Sequence, residues 1–549
     1  MSVLLISGPP NAGKTTTILE RWGKDIDEGR ALGVVPHERI ATELKAARTL
    51  FGHGFVSLRH FVQLLARPHR AVVGMQHQTL LCRRLLREQS LRYFHPERIS
   101  WGVAREAATT ITTLKRNLIR PQDLQAMLET RGSLKEFDLL TLYERYESEL
   151  EKRCLHDEGI LFFQAAEHIE RGDVPLLENL TTLCLDEFFQ IEPGLYLLLT
   201  LLKKHLPHLR IVVTLPRSEN GETLYAASLK RAMEDIAPLI DEHQHCTASR
   251  AMTSNVSVMK LRSPHDEARF IVHTALGAAS DRPVETVVVD GNTPSVTSAF
   301  QLVWDHDHQM LLPRPTGMTS APLLTTLLTE PLPEHLPSEA SLGSFADLTR
   351  KLLREDANLT NIVLESPEHR KENARASSVI ASLDHFLHEL SVSDQLLGVG
   401  NMPRDEFIEL LANQARLQEP AHSIISPPYP FTVTPFSTGR SQPIERIIIP
   451  GMIEGQVPSA GDNRLFFTNR DELAPRPNRI LDAIFPSTDE ILAREALLFQ
   501  TWLAKTRGEV ILSFAATTSE GDEALPSSFL ESFGPPISFD APLFAPRAM

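Results

Sequence analysis

Residues 2–20, SVLLISGPPNAGKTTTILE, decide the fold of this chain. The apolar run Val3-Leu4-Leu5-Ile6 predicts a buried strand, and residues 8–15 after it fit the pattern G-x-x-x-x-G-K-[ST] at every fixed position. In such a loop the backbone N–H groups surround phosphate oxygens, the lysine supplies positive charge, and the hydroxyl binds Mg²⁺. We therefore predict a site for ATP and Mg²⁺ formed by Gly8, Pro9, Asn11, Ala12, Gly13, Lys14, Thr15 and Thr16.

A P-loop needs an acidic partner at the end of another strand. The apolar run Leu183-Cys184-Leu185 ends in the pair Asp186-Glu187. We expect Asp186 to hold Mg²⁺ together with Thr15, and Glu187 to orient or deprotonate the attacking water.

Apolar runs and helical patterns alternate along the rest of the chain. Residues 60–170 are mostly helical by periodicity, and a helix is expected over 490–505. This alternation predicts an α/β protein with parallel sheets and a large helical insertion. Further strands are expected at 31–36, 180–185, 211–215, 256–261, 284–289, 446–450 and 509–514.

The charge of the chain is uneven. The formal net charge is −15, yet residues 59–120 hold twelve Lys and Arg against three Glu, with Tyr93, Phe94 and Trp101 among them. A basic stretch with planar side chains suits phosphate contacts and base stacking, although a solvated helical face paired with acidic neighbours gives the same pattern. The candidates for DNA binding are Arg83, Arg84, Arg87, Arg92 and Arg116.

Other features exclude several classes of protein. No apolar run approaches about 18 residues, so we expect no membrane span, and the first residues lack the pattern of a signal peptide. The four cysteines are far apart, with no CxxC spacing. We expect a cytoplasmic protein with reduced thiols, without a membrane partner and without an iron–sulfur cluster.

Five segments, in order, resemble the AddB-like branch of the superfamily 1 UvrD/RecB-type helicases, the B subunits of helicase–nuclease complexes. Gly451 to Pro458 resembles G-x-x-E-G-x-x-P, which is quite specific, and Pro526 to Leu530 resembles P-S-x-F-L. The segment 186–193 resembles D-G-F-x-x-F-x-P, with Glu187 where that pattern often has Gly. The other two are 34–38 and 55–61. These segments argue against a P-loop NTPase unrelated to DNA.

The resemblance implies two RecA-like P-loop domains, each with a mainly helical insertion, and ATP between them. It also implies that the protein binds DNA, either single-stranded or as duplex ends, and that it pairs with a larger helicase–nuclease subunit of the AddA/RecB type. The expected limits are 1–58 with 176–254 for the first domain, 59–175 for its Arg-rich insertion, 255–325 with 426–533 for the second domain, 326–425 for its insertion, and 534–549 for a Pro-rich tail.

The second half departs from the pattern of an active motor. The resemblance makes Glu187, Gln190, Lys505 and Arg507 the catalytic candidates, but Lys505 stands where the family has its key arginine, and lysine lacks the guanidinium fork. Asp290 replaces another arginine, and Ser441-Gln442-Pro443 replaces a Gly-Leu-Glu. Two functions stay open: a DNA-processing ATPase subunit, and a scaffold of the same fold without ATP-driven unwinding. We expect no nuclease site in this chain.

Overall fold

The structure is a computed structural model. It describes residues 2–48, 54–89, 91–129, 132–217, 226–247, 255–277, 286–290, 332–355, 370–417, 432–436, 443–459, 464–467, 484–485, 488–518 and 521–538.

The first half of the chain forms a six-stranded sheet in which every pairing is parallel. Its order is β3-β2-β6-β7-β1-β8, so β7 lies between the strand that precedes the P-loop and the strand that precedes the acid pair. The strand Val3–Gly8 is buried on both faces, as strands of parallel sheets are, and this explains the unbroken apolar run at its start. The strands are β1 Val3–Gly8, β2 Ala31–Val35, β3 Phe55–Ser57, β6 Thr182–Leu185, β7 Arg210–Pro216 and β8 Glu242–His245.

The second half forms another six-stranded sheet with parallel pairing throughout. Its strands are β9 Asn255–Leu261, β10 Thr286–Asp290, β13 Thr432–Pro435, β14 Ile444–Ile449, β15 Thr506–Ala515 and β16 Ile537–Ser538, in the order β13-β10-β14-β15-β9-β16. The structure differs from the predicted loose tail at β16, which pairs with β9 by main-chain hydrogen bonds.

Helices flank the first sheet and fill the segment between β3 and β6. Ser57 caps the third helix by accepting from the His60 N–H, and Ser100 caps the fifth by accepting from the Val103 N–H. Two short strands, β4 Val72–Val73 and β5 His156–Asp157, pair within this segment. The helices are α1 Lys14–Asp27, α2 Glu38–Ala47, α3 Leu58–Ala66, α4 Met75–Glu88, α5 Trp101–Arg116, α6 Pro121–Leu128, α7 Leu134–Lys152, α8 Ile160–Glu170, α9 Pro175–Glu178, α10 Pro193–His205 and α11 Ala226–Ile236.

The helices of the second half are α12 Pro264–Gly277, α13 Leu332–His335, α14 Leu342–Glu355, α15 Arg370–Leu397, α16 Arg404–Leu417 and α17 Thr488–Lys505. A two-stranded antiparallel ribbon, β11 Glu339–Ser341 with β12 Asn401–Pro403, joins α13 to α16. Helices α13 to α16 share one apolar core with the insertion of the first half: Leu85 and Tyr143 from one side belong to the same cluster as Phe345, Leu387 and Phe407 from the other. We call this shared region the insertion interface.

The predicted α/β fold with two parallel sheets is confirmed, and the strands expected at 211–215, 256–261 and 509–514 lie within β7, β9 and β15. The motif residues Ser441 and Gln442 lie outside the described residues. Among the helices that the structure describes, none combines the length and the apolar character needed to cross a membrane.

Candidate functional site: a P-loop cleft between the two sheets

The P-loop lies at the carboxyl end of β1. Asn11 and Gly13 adopt positive φ angles of 60° and 77°, a backbone region that L side chains rarely enter. Gly8 permits a close approach, since a Cβ there would meet the carbonyl oxygen of Cys246 at 2.4 Å. The loop leads into α1, a helix of 14 residues, so backbone N–H groups at the helix N-terminus face the cavity beside it.

Lys14 is folded back onto its own loop. Its ammonium Nζ donates to the carbonyl oxygens of Gly8 at 3.1 Å and Pro9 at 2.8 Å. Burial lowers the pKa of Lys14, while the charges of Glu187 and Asp186 oppose that shift. The site therefore holds a desolvated cation whose present partners are neutral carbonyl groups, an arrangement that an anionic phosphate would improve.

The acid pair follows β6, and a threonine of β7 holds it. Asp186 is 2% exposed, and its Oδ1 accepts from the Thr214 hydroxyl at 2.7 Å. Glu187 has a φ of 62°, and its backbone N–H donates to the same hydroxyl at 3.2 Å. The Glu187 carboxylate accepts from the Thr15 hydroxyl at 3.3 Å, so the P-loop and the acid pair are in direct contact.

Asp186 has the features of a cation ligand. Its second carboxylate oxygen, Oδ2, is buried and has no hydrogen-bond partner among the described residues. Burial, and then the charge of Glu187, raise the pKa of Asp186, whereas the hydrogen bond from Thr214 opposes the rise. A carboxylate oxygen left unsatisfied beside the Thr15 hydroxyl fits Mg²⁺, which prefers oxygen ligands.

The second half of the chain supplies the opposite wall. Lys505, at the end of α17, donates to both carboxylate oxygens of Glu187, at 3.0 and 3.1 Å. Arg507 and Pro443 line the same cavity of about 340 Å³ as the P-loop and the acid pair. The structure thus brings the catalytic candidate Glu187 together with Lys505 and Arg507, which follow it by more than 300 residues in the sequence.

Gln190 lies to one side of this cavity. It lines a neighbouring apolar cavity with Phe188 and Phe189, and the two cavities share the Glu187–Lys505 ion pair as a wall. The structure therefore brings Gln190 close to the site but not into the space beside the P-loop. Arg116 lines the same neighbouring cavity.

Three of the predicted DNA-binding arginines take part in the insertion interface. Arg83 is 6% exposed, forms an ion pair with Glu406 and lies 4.0 Å from the centre of the Trp101 ring. Arg87 pairs with the same glutamate at 3.0 Å. Arg84 bonds Glu149 at 2.7 Å and the carbonyl oxygen of Leu397 at 2.8 Å.

Acidic groups or carbonyl oxygens already bind all three side chains, which therefore differ from the unpaired basic surface that the sequence suggested, although Arg87 is 39% exposed. The side chains of Arg92 and Arg116 are exposed. For those two residues DNA binding stays a prediction.

The two segments of the second half that carry the family resemblance lie against each other. Ser527 donates its N–H to the carbonyl of Met452 at 2.9 Å, and Glu454 donates its N–H to Leu525 at 2.9 Å. The buried Glu267 accepts from the Gly451 N–H at 2.9 Å and from the Ser513 hydroxyl at 2.6 Å. Segments 451–458 and 526–530 therefore form one structural unit at the carboxyl end of β14 and β15.

The fold and the site together define a mixed α/β protein with two parallel sheets and a P-loop at the carboxyl end of the first one. Residues 59–261 match the family model described as "ADDB, N-terminal", and this match supports an AddB-like assignment. No curated protein matches the sequence.

Proposed function

We propose that this protein is the ATP-binding and DNA-binding, helicase-like subunit of a helicase–nuclease complex that processes the ends of DNA double-strand breaks for recombinational repair. The match of residues 59–261 to the AddB family supports the class of subunit. The cavity that joins the P-loop, the acid pair, Lys505 and Arg507 supports nucleotide binding, and it is the single observation on which the proposal depends most.

In this proposal the triphosphate enters beside the N-terminus of α1 and takes Lys14 away from the carbonyl oxygens of Gly8 and Pro9. Thr15 and Asp186 would hold Mg²⁺, which would neutralise charge on the phosphates. Glu187 orients the attacking water once its carboxylate has left Lys505. Lys505 and Arg507 then face the terminal phosphate and stabilise its developing charge.

The proposed partners are DNA and a larger helicase–nuclease subunit of the AddA/RecB type. The exposed Arg116, whose guanidinium lies 5.7 Å from the centre of the Phe162 ring, supports a DNA contact near the site. Its cavity shares Glu187 and Lys505 with the nucleotide cavity, so a strand held there would lie close to the ATP site.

A second candidate function, a scaffold without ATP-driven unwinding, is favoured by two observations on the second half. Lys505 offers a point charge in place of a bidentate fork, and its ammonium is engaged with the catalytic candidate Glu187. Pro443, which lines the cavity, has no backbone N–H to offer a phosphate.

ATP turnover with and without single-stranded DNA separates the two candidates. The ATPase reading predicts that DNA raises turnover of the wild type and that Glu187→Gln abolishes this stimulation while nucleotide still binds. If the wild type and Glu187→Gln had equal turnover and DNA had no effect on either, the ATPase function would be rejected and the scaffold function would remain. Nucleotide binding that survives Lys14→Ala unchanged would remove both the ATPase and the assignment of the site.

A further inference from the structure

We infer that Thr214 is a positioning residue of the nucleotide site, setting the orientation of both acids through one hydroxyl group. The inference rests on the proposed function for its meaning in catalysis. The orientation of Asp186, the candidate Mg²⁺ ligand, does not depend on ATP hydrolysis, so metal binding tests it separately from the proposed function.

Thr214 is a polar residue in the middle of an apolar strand. It belongs to β7, where Val213 and Leu215 on either side are fully buried, and it is itself 1% exposed. A hydroxyl at such a position destabilises the protein unless it is hydrogen-bonded. Packing alone would be served equally well by a valine, which has nearly the same shape.

The hydroxyl uses both of its hydrogen-bonding capacities on the acid pair. It donates to Asp186 Oδ1 at 2.7 Å and accepts the N–H of Glu187 at 3.2 Å. These two bonds are possible because β7 lies directly between β6, which carries the acids, and β1, which carries the P-loop. One side chain thus connects the carboxylate of one acid to the backbone of the next.

The bond to Asp186 decides which carboxylate oxygen is available. With Oδ1 occupied by Thr214, the remaining oxygen is Oδ2, the buried atom without a partner among the described residues. Thr214 therefore keeps this carboxylate oriented for a divalent cation, as groups behind a metal ligand commonly do.

The bond to Glu187 fixes a backbone that most residues avoid. A φ of 62° is unfavourable for a residue with a side chain, and the Glu187 N–H is held there by Thr214. From this backbone position the Glu187 carboxylate reaches both Thr15 and Lys505. Loss of the hydroxyl would release the acid from its contacts on both sides of the cleft.

The test compares Thr214→Val, which keeps the shape and removes the hydroxyl, with Thr214→Ser, which keeps the hydroxyl. The first probe is Mn²⁺ alone, added to the nucleotide-free protein and followed by the electron paramagnetic resonance signal of the free ion, with Asp186→Asn to define the signal of this site. We expect Thr214→Val to weaken Mn²⁺ binding by about tenfold or more, and Thr214→Ser to restore it to within about threefold of the wild type.

The second probe is ATP, titrated with Mg²⁺ and again in the presence of EDTA. Thr214→Val is expected to lose the part of the affinity that depends on Mg²⁺ and to keep the metal-independent part, because Lys14 and the loop are unchanged. A general folding defect would lower both parts together and would not be corrected by Thr214→Ser.

The two ideas fail in different ways. Mn²⁺ binding that is equal in wild type and Thr214→Val, or a Thr214→Ser as defective as Thr214→Val, overturns the positioning role. A wild type that binds Mn²⁺ through Thr214 but binds no ATP overturns the proposed function and leaves the positioning of Asp186 intact.

Discussion

The first and second halves of this chain meet in two places of opposite character. At the nucleotide cleft, a cavity of about 340 Å³ separates them and the Glu187–Lys505 ion pair bridges it. At the insertion interface, Arg83 is buried against Trp101 and Glu406 within a continuous apolar core from both halves. The cleft leaves charged groups facing a space of ligand size, whereas the interface uses its charged groups to hold protein to protein.

The comparison teaches that a cluster of charged residues in a sequence does not by itself show whether the charges bind a ligand or another part of the protein. Three of the arginines that look most like a nucleic-acid surface, Arg83, Arg84 and Arg87, bind acidic groups or carbonyl oxygens at the interface, and Arg83 is buried there. The cations that face the cleft, Lys14, Lys505 and Arg507, stand outside that basic stretch. Four changes to the chain break or sharpen this contrast.

The largest effect is expected at the insertion interface. Glu406→Ala removes the partner of the buried Arg83 and of Arg87, and loss of one member of a buried pair costs about 3 kcal/mol of the free energy of unfolding. Urea unfolding measures it. The matched control is Glu151→Ala, whose carboxylate is 73% exposed in its pair with Arg70, where we expect a much smaller loss because solvent screens the pair. Equal losses in the two variants would contradict the burial of the interface.

The next effect is expected across the cleft. Lys505→Ala should lower DNA-stimulated ATP turnover by about 100-fold, as loss of one group that stabilises transition-state charge does, while the affinity for nucleotide changes much less. Lys505→Arg keeps the charge and is expected to retain turnover. If steady-state kinetics showed unchanged turnover in Lys505→Ala, Lys505 of the second half would have no role in catalysis.

A smaller effect follows from the pKa of Asp186, which burial and the charge of Glu187 raise. As the pH is lowered from neutral through the raised pKa, the carboxyl takes up a proton that competes with Mg²⁺, so the Mg²⁺ affinity should fall. Mg²⁺ titrations at several pH values measure it. A pH-independent affinity would mean that Asp186 is ionised throughout this range.

The raised pKa of Asp186 also makes the free energy of unfolding depend on pH. A carboxyl whose pKa is raised by folding stabilises the protein at low pH and loses that contribution as the pH rises through the raised value. Asp186→Asn should therefore be at least as stable as the wild type at neutral pH without Mg²⁺, and this advantage should shrink in acid. Asp27→Asn, whose carboxylate is 42% exposed, is the control.

The smallest effect is expected on DNA binding. Arg116→Ala should weaken binding of single-stranded DNA by about threefold at moderate salt and reduce the slope of log affinity against log salt by about 0.7, the value for one phosphate contact. Arg67→Ala, which removes an exposed pair with Asp173, serves as control. An unchanged slope in Arg116→Ala would exclude Arg116 from the DNA surface.

The sequence predicts the buried strands β1, β2, β6 and β7 of the first sheet, for a physical reason. Strands such as β1 and β6 are buried on both faces and read as continuous apolar runs. The departure from the family pattern at Glu187 also has a structural meaning, since its φ of 62° lies in the region where glycine is favoured. The pattern thus identified the right backbone position although the residue differs.

The remainder depends on contacts between distant parts of the chain. Arg83 and Glu406 are more than 300 residues apart, so no local pattern pairs them. Thr214 is one threonine in an apolar strand, and only the neighbouring strand β6 gives its hydroxyl a use. The strand β8 has a largely exposed, polar sequence at the edge of its sheet and shows no apolar alternation.

The most direct test of the cleft as a nucleotide site is a calorimetric titration of Mg²⁺–ATP into three proteins: wild type, Lys14→Ala and Lys24→Ala. Lys24 lies on the same helix as Lys14, but its side chain is 84% exposed and pairs with Glu28. We predict binding in the wild type and in Lys24→Ala, and a loss of at least about 30-fold in Lys14→Ala, equivalent to about 2 kcal/mol. Equal affinity in all three proteins would contradict the account.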